Sequence, residues 1–174
     1  KDERSLAVQL KMQIYGCDPT HYENGSKSNS RKIFRSCGLL VPDGFEDLQS
    51  EAEVVHALAE IKRRDPSIKR ALLKLNEGFS GEGNAIFEYE KKYGNNYEAV
   101  IARRLPQKLQ IVASGLRYRA FMQKFELMGG VVEAFVEGGI KASPSVQCRI
   151  NPLGDCKIIS THDQLIGGQN DQVF

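Results

Sequence analysis

The 174-residue chain carries 24 Lys and Arg against 22 Asp and Glu, a formal net charge of +2. With 41% hydrophobic and 26% charged residues it has the composition of a globular protein that buries a core, not of a disordered segment. No apolar run approaches the ~18 residues of a membrane span, the charge is too small to call for a nucleic-acid partner, and no cysteine pair has the C-x-x-C spacing of a zinc site.

The N-terminus, KDERSLAVQL, has neither signal-peptide anatomy nor an initiator Met, so an excerpt or processed piece of a cytoplasmic protein is expected. Reduced thiols fit that compartment. A bridge between Cys148 and Cys156 is open if they fall on one hairpin.

Residues 1–16 alternate at Leu6, Val8 and Leu10 and then continue at Met12 and Ile14, which leaves helix and strand both open. Residues 17–30, CDPTHYENGSKSNS, read as loop, with His21 on the surface. Ser28 or Ser30 is expected to cap a helix over Arg31–Cys37 that Gly38 ends. Leu39 to Pro42 then extends toward a turn at Asp43-Gly44. Lys27, Arg31, Lys32 and Arg35 have the pattern of a solvated helix face.

The clearest helix spans residues 50–64. Ser50 caps it, Glu51 and Glu53 fill its first turn, Lys62, Arg63 and Arg64 fill its last, and Val54, Val55, Leu58 and Ile61 make its apolar stripe. His56 lies off that stripe. Asp65-Pro66 stops the helix and Ile68 leads into a strand.

That strand opens LLKLNEGFSGEGNAIF, residues 72–87. Leu73 and Leu75 point one way, Leu72 and Lys74 the other. Gly78, Ser80, Gly81 and Gly83 make a flexible loop, and Ala85-Ile86-Phe87 returns as a second strand. Residues 68–87 are therefore expected as a hairpin packed on the 50–64 helix. Glycines let backbone N–H groups close on an anion, and Lys74 brings a charge to the same place. The plainer alternative is a glycine-rich hairpin with a solvated lysine; on the anion-binding reading too, an exposed strand lysine is expected to contribute little to stability.

Residues 88–97 read as polar loop. Tyr97–Leu105 reads as a helix interrupted by Pro106, Leu109–Val112 as a short strand, and Tyr118–Met128 as a helix closed by Gly129-Gly130. The basic residues Arg103, Arg104, Lys108, Arg117, Arg119 and Lys124 lack the aromatic interleaving of a nucleic-acid surface, so solvated faces are expected. Val131 to Gly138 reads as a strand. Residues 143–168 read as a hairpin turning at Asn151–Gly154, with Lys157–Ser160 returning and Gln147 and Arg149 on one face.

Order separates the phosphate-loop types. A Walker loop places its lysine after the glycines and before a helix; here the lysine comes first. Gly81-Glu82-Gly83 lacks the third glycine of a dinucleotide fingerprint, and a kinase loop precedes its lysine strand. Strand lysine, flexible loop, strand resembles the ATP-grasp enzymes. KLNEGFSGEGNA resembles one branch of them, the carboxylate–amine ligases around the pheganomycin peptide ligase, together with the related domain of IQ-motif protein H. SKSNSRKIFRSCGLLVPDGFEDL and VVEAFVEG resemble the ATP-grasp entry and hinge strand, SPSVQCRI and STHDQLIGG match that branch, and the segments fall in the right order, so the likeness covers about residues 26–174.

The resemblance implies an α+β ATP-grasp fold. Residues 1–30 would be an entry segment, 31–136 the small lid subdomain with an antiparallel sheet, and 137–174 the start of the core subdomain. It implies ATP and Mg²⁺, small carboxylate and amine substrates, and amide formation through an acyl-phosphate. Lys27 and Lys74 would meet the phosphates, and Ser80, Gly81, Glu82, Gly83 and Asn84 would cradle them. Glu133, Ala134, Phe135 and Val136 would line the adenine pocket, and Arg149 would face the acyl-phosphate. No metal ligand is assigned; the family's metal-binding motif is expected beyond Phe174. His162, Asp163 and Gln164 end a strand without an assigned role. The rival from another class is a non-catalytic nucleotide-sensing or interaction domain of a larger protein.

Overall fold

A computed structural model describes residues 2–173 except 79–80, 91–92, 94–95, 140–141 and 168–171. The chain divides into two units, residues 26–137 and residues 1–25 with 138–174. The larger unit holds strands β1 (Gly44–Leu48), β2 (Arg70–Leu75), β3 (Asn84–Glu88), β4 (Leu109–Ile111) and β5 (Gly130–Ala134). They form one sheet in the order β1-β5-β2-β3-β4, with every pairing antiparallel. Among the described residues four helices accompany it: α2 (Lys27–Ser36), α3 (Glu51–Arg64), α4 (Tyr97–Lys108) and α5 (Tyr118–Met128). The smaller unit contains α1 (Asp2–Leu10). The chain is α+β.

Local signals account for most of these limits. Ser50 and Glu53 close a capping box at the start of α3, and Gly129, at φ +70°, ends α5. Ala71, Leu73 and Leu75 of β2 are buried, while Arg70, Leu72 and Lys74 between them are only partly covered. The buried set packs with Ala85 and Phe87 of β3 and Val132 of β5 against Val54, Leu58 and Ile61 of α3, Ile101 and Leu105 of α4, and Phe121 and Phe125 of α5. Each fully buried Phe contributes about 1.5–3 kcal/mol relative to exposure. The hairpin on the 50–64 helix is as expected. The other sheet face carries Leu72 opposite Ile86 and Glu133, and Lys74 opposite Asn84 and Val131.

Four expectations are corrected. The helix expected over Arg31–Cys37 begins at Lys27, because Ser26, not Ser28 or Ser30, accepts the N–H of Asn29 at 3.1 Å. The loop before it contains a 3-10 helix, Pro19–Gly25, kinked at exposed His21. Pro106 does not interrupt α4. Having no N–H, it removes one bond of the last turn, but the N–H of Leu109 still reaches the carbonyl of Leu105, and the helix runs on to Lys108. Gly44 opens a strand instead of completing a turn. A Cβ there would lie 2.8 Å from Cα of Glu133, so only glycine lets β1 approach β5. Between Phe45 and Leu48 β1 is bulged, with Asp47 at φ +58°.

In the smaller unit residues 2–10 are helical, which decides the open reading there. Strands β6 (Ser143–Ile150) and β7 (Cys156–Gln164) form the expected hairpin, with a return strand longer than anticipated and an irregularity opposite Gln147 and Cys148. Register puts Ile158 opposite Cys148 and Ile150 opposite Cys156, and all four cysteines are free and exposed. Short strands β8 (Ile166–Gly167) and β9 (Gln172–Val173) pair antiparallel.

Candidate functional site

Lys74 lies one residue before the end of β2, on the sheet face away from the three-helix core. Its ammonium lies 2.6 Å from Oε1 of Glu133 and its side chain is 26% exposed. It is therefore not a solvated strand lysine, because its partner is a buried carboxylate on the neighbouring strand.

The loop beyond it is closed at its base. The N–H of Leu75 donates to the carbonyl of Gly83 at 2.9 Å, and that of Asn84 to Gly81. A Cβ on Gly78 would lie 2.7 Å from Cα of Gly83, so these two glycines are required by each other's approach. Gly81 alone of the three is left-handed, at φ +78°. Glu82 is exposed. Ser80 lies outside the described residues. Asn84 opens β3 directly opposite Lys74.

Asn76, unremarked in the sequence, ties this strand end to two other elements. Its side-chain oxygen accepts from the N–H and the hydroxyl of Ser28, at 3.0 and 2.7 Å, and its amide donates to the carbonyl of Met128. Its backbone carbonyl accepts the N–H of Lys27 at 3.2 Å, and its own N–H donates to Gly129. The first turn of α2, with Lys27 at its first position, is thereby fixed against the strand that carries Lys74.

Helix α2 also sends Arg31 under the site, where it is buried and not part of a solvated face. Its Nε donates to Glu46 at 2.6 Å, its Nη1 to Oε2 of Glu133, and its Nη2 to the carbonyl of Pro42 at 2.7 Å. Arg35 pairs with the same oxygen of Glu46. The result is an alternating row, Arg35, Glu46, Arg31, Glu133, Lys74, with three positive and two negative members. Sequence reasoning missed Arg31, Glu46 and Ser28. The one signal available was the i, i+3 spacing of Ser28 and Arg31, which puts both on one helix face.

Glu133 sits on β5 between β1 and β2, so the backbone there is already paired on both sides. The N–H of Ala134 donates to Asp43 and that of Phe135 to Arg70. The Phe135 ring lies 3.9 Å under the Arg70 guanidinium, which also pairs with Glu137. Val136 follows, exposed, beyond the last strand residue.

The structure brings Lys74, Gly81, Gly83, Asn84 and Glu133 onto or beside one sheet face, with Lys27 tied in through Asn76. Arg149 belongs to the smaller unit. It is exposed on β6, its guanidinium 6.0 Å from the centre of the Tyr15 ring. His162, Asp163 and Gln164 close β7, where Gln164 accepts from the Ser143 hydroxyl at 2.6 Å.

An antiparallel sheet backed by helices, with a lysine on the central strand before a glycine loop and an acid on the strand beside it, has the make-up of an ATP-grasp type of unit. A family model described as IQCH-like, ATP-grasp, matches residues 20–110, and the chain belongs to that family. It is 23% identical to IQ motif-containing protein H of Danio rerio over 99% of its own length, which is 19% of that protein. It is 30% identical to the L-propargylglycine–L-glutamate ligase of Streptantibioticus cattleyicolor over 83% of its length, or 28% of the ligase. The chain thus spans under a third of either relative. Among the described residues no helix is long and apolar enough to cross a membrane.

Proposed function

We propose that this chain is the ATP-binding part of a ligase that joins a carboxylate to an amine. On this reading residues 31–136 are the lid subdomain and 137–174 open the second. The observation that carries it is Lys74, held one residue inside the strand that feeds a glycine loop, at the end of a charged row with one positive charge in surplus. A phosphate fits there on two grounds. Gly81 sits left-handed in the loop, where a Cβ would meet only Nδ2 of Asn84 at 3.8 Å, so its backbone borders open space that an anion can reach. The nearest cation is anchored, so little ordering is needed when an anion arrives.

Lys74 and Lys27 would share the charge of the phosphates, and the N–H groups of residues 80–83 would cradle them together with the side-chain amide of Asn84, whose own N–H is spent on Gly81. Glu82 would point away. The adenine edge would meet the chain where β5 ends. The N–H groups of Ala134 and Phe135 are already engaged, so Val136 offers the free edge of that set, with Ala134 and Phe135 as wall. Glu133 would border the pocket through the pair it makes with Lys74. In the ligase, the terminal phosphoryl of ATP passes to a carboxylate, and an amine then displaces phosphate from the acyl-phosphate to give an amide; Arg149 is assigned to that acyl-phosphate. Among the described residues no His, Cys, Asp or Glu side chains group to hold a metal, and Mg²⁺ enters this reading as the ion that accompanies ATP.

A second reading has an observation of its own: the chain matches the IQ motif-containing protein over nearly its whole length and the ligase over less of it. It is a nucleotide-sensing or interaction domain without turnover. Titrating ATP, with and without Mg²⁺, into the full-length protein and its Lys74→Met variant tests the site. Loss of a hydrogen bond to a charged group, ~1.5–3 kcal/mol, lowers affinity roughly ten- to a hundredfold. Equal affinities end the nucleotide reading. ADP release that depends on an added carboxylate and amine supports the ligase; binding without it supports the sensor.

A further inference from the structure

Lys74 cannot be considered apart from the carboxylate it touches. Glu133 is buried, and its two oxygens are divided: Oε1 faces Lys74 and Oε2 faces Arg31. Arg31 spends every edge of its guanidinium on protein, on Glu46, Glu133 and the carbonyl of Pro42, and its side chain is 7% exposed. It has no face left for a ligand. Lys74 is the member of the row that reaches the site face.

We infer that Arg31 is a positioning residue for Lys74: it holds and neutralises Glu133 from below, so that the Lys74 ammonium keeps positive charge for an anion above. The inference rests on the nucleotide reading of the site. Without Arg31, the only cation left beside Glu133 among the described pairs is Lys74. In a buried setting a lone carboxylate draws that ammonium into a closed ion pair. The charge of Lys74 is then spent on Glu133, and a phosphate meets a neutral pair. With Arg31 in place, the carboxylate is shared between two cations and the row retains one positive charge. Arginine suits this duty and lysine does not, because a planar fork meets two carboxylates and a carbonyl at once.

A purely structural role for Arg31 is the competing explanation, since the same contacts pin α2 to the sheet. The two differ in what they do to different ligands. Loosening α2 would weaken any nucleoside, whereas neutralising Lys74 weakens only phosphate-bearing ones.

The test is calorimetric titration of the full-length protein with MgATP and with adenosine. The variants are Arg31→Met, Arg31→Lys, Lys74→Met and the double Arg31→Met/Lys74→Met. Arg31→Met is expected to lower ATP affinity about tenfold, equivalent to roughly 1.4 kcal/mol, and to leave adenosine within about twofold. Arg31→Lys, which keeps the charge and loses the fork, falls in the same direction and carries the test if Arg31→Met does not fold. The double variant is no weaker for ATP than Lys74→Met alone, because the effect of Arg31 runs through that ammonium. Equal losses for ATP and adenosine, or additive losses in the double variant, overturn the inference. If wild type binds ATP, Lys74→Met loses it and the Arg31 variants do not, the positioning role fails while the nucleotide site stands. If wild type binds no ATP, both fail.

Discussion

The Ser28 hydroxyl donates to the side-chain oxygen of Asn76 at 2.7 Å, joining two residues 48 positions apart. That bond and its neighbours hold the first turn of α2 against the end of β2. The same hydroxyl accepts the N–H of Asp47 at 3.1 Å, so the bulge in β1 is anchored to it as well.

Asn76→Ala removes the acceptor of two Ser28 donors and the donor to Met128. With about 1 kcal/mol for each partly buried hydrogen bond, a loss of about 2–3 kcal/mol is expected. Urea unfolding, read as a fall in midpoint at constant slope, measures it. An unchanged midpoint would mean that the Asn76 side chain is dispensable and that Arg31, Arg35 and the backbone bond of Lys27 suffice to hold α2.

Lys74→Met should also lower stability, by about 1–3 kcal/mol, because Glu133 loses one of its two cations inside the fold. Comparison with Lys74→Met/Glu133→Gln checks the cause. The double variant, which removes the stranded charge, should recover part of the loss. No recovery would show that the packing of the lysine stem, not its charge, supplies the stability.

Gly130 opens β5 opposite Leu75. A Cβ there would meet the carbonyl of Lys74 and come within 2.6 Å of Cε2 of Phe125. Gly130→Ala should destabilise the larger unit by about 1–3 kcal/mol through overpacking. Gly139→Ala, where a Cβ would meet nothing within 4 Å, is the control. Equal melting temperatures for the two variants would refute the steric account.

Glu53 gives a pH signature. The N–H of Gln49, then the Ser50 hydroxyl and the N–H of Ser50, hold its carboxyl below the ordinary 4.5. On acidification the unfolded chain takes up the proton first, near 4.5, while the native capping box resists it. The stabilisation is present in full above pH 4.5 and is lost as pH falls through the depressed native value. The gap in melting temperature between wild type and Glu53→Gln should therefore be widest near pH 7 and narrow below pH 4. A gap independent of pH would remove the carboxylate from the explanation.

The sequence by itself determined the elements with short-range codes. The capping residues and apolar stripe of α3 predicted its limits, because both signals lie within one helix. Alternation through Leu72 to Leu75 predicted which side of β2 meets the core and put Lys74 on the other. The motif order predicted the family, and Gly129 predicted the end of α5. Only the tertiary structure decided where the charges of α2 go. Arg31 has the sequence context of a solvated arginine, and its partner Glu133 lies 102 residues away. Periodicity records which face of an element is apolar, but not which distant carboxylate or carbonyl will meet a charged one. The same holds for Asn76, whose partners come from α2, α5 and the glycine that caps α5, and for β5 itself, placed between β1 and β2. Strand order and buried polar partners depend on long-range closure of the sheet, and local sequence carries no record of that.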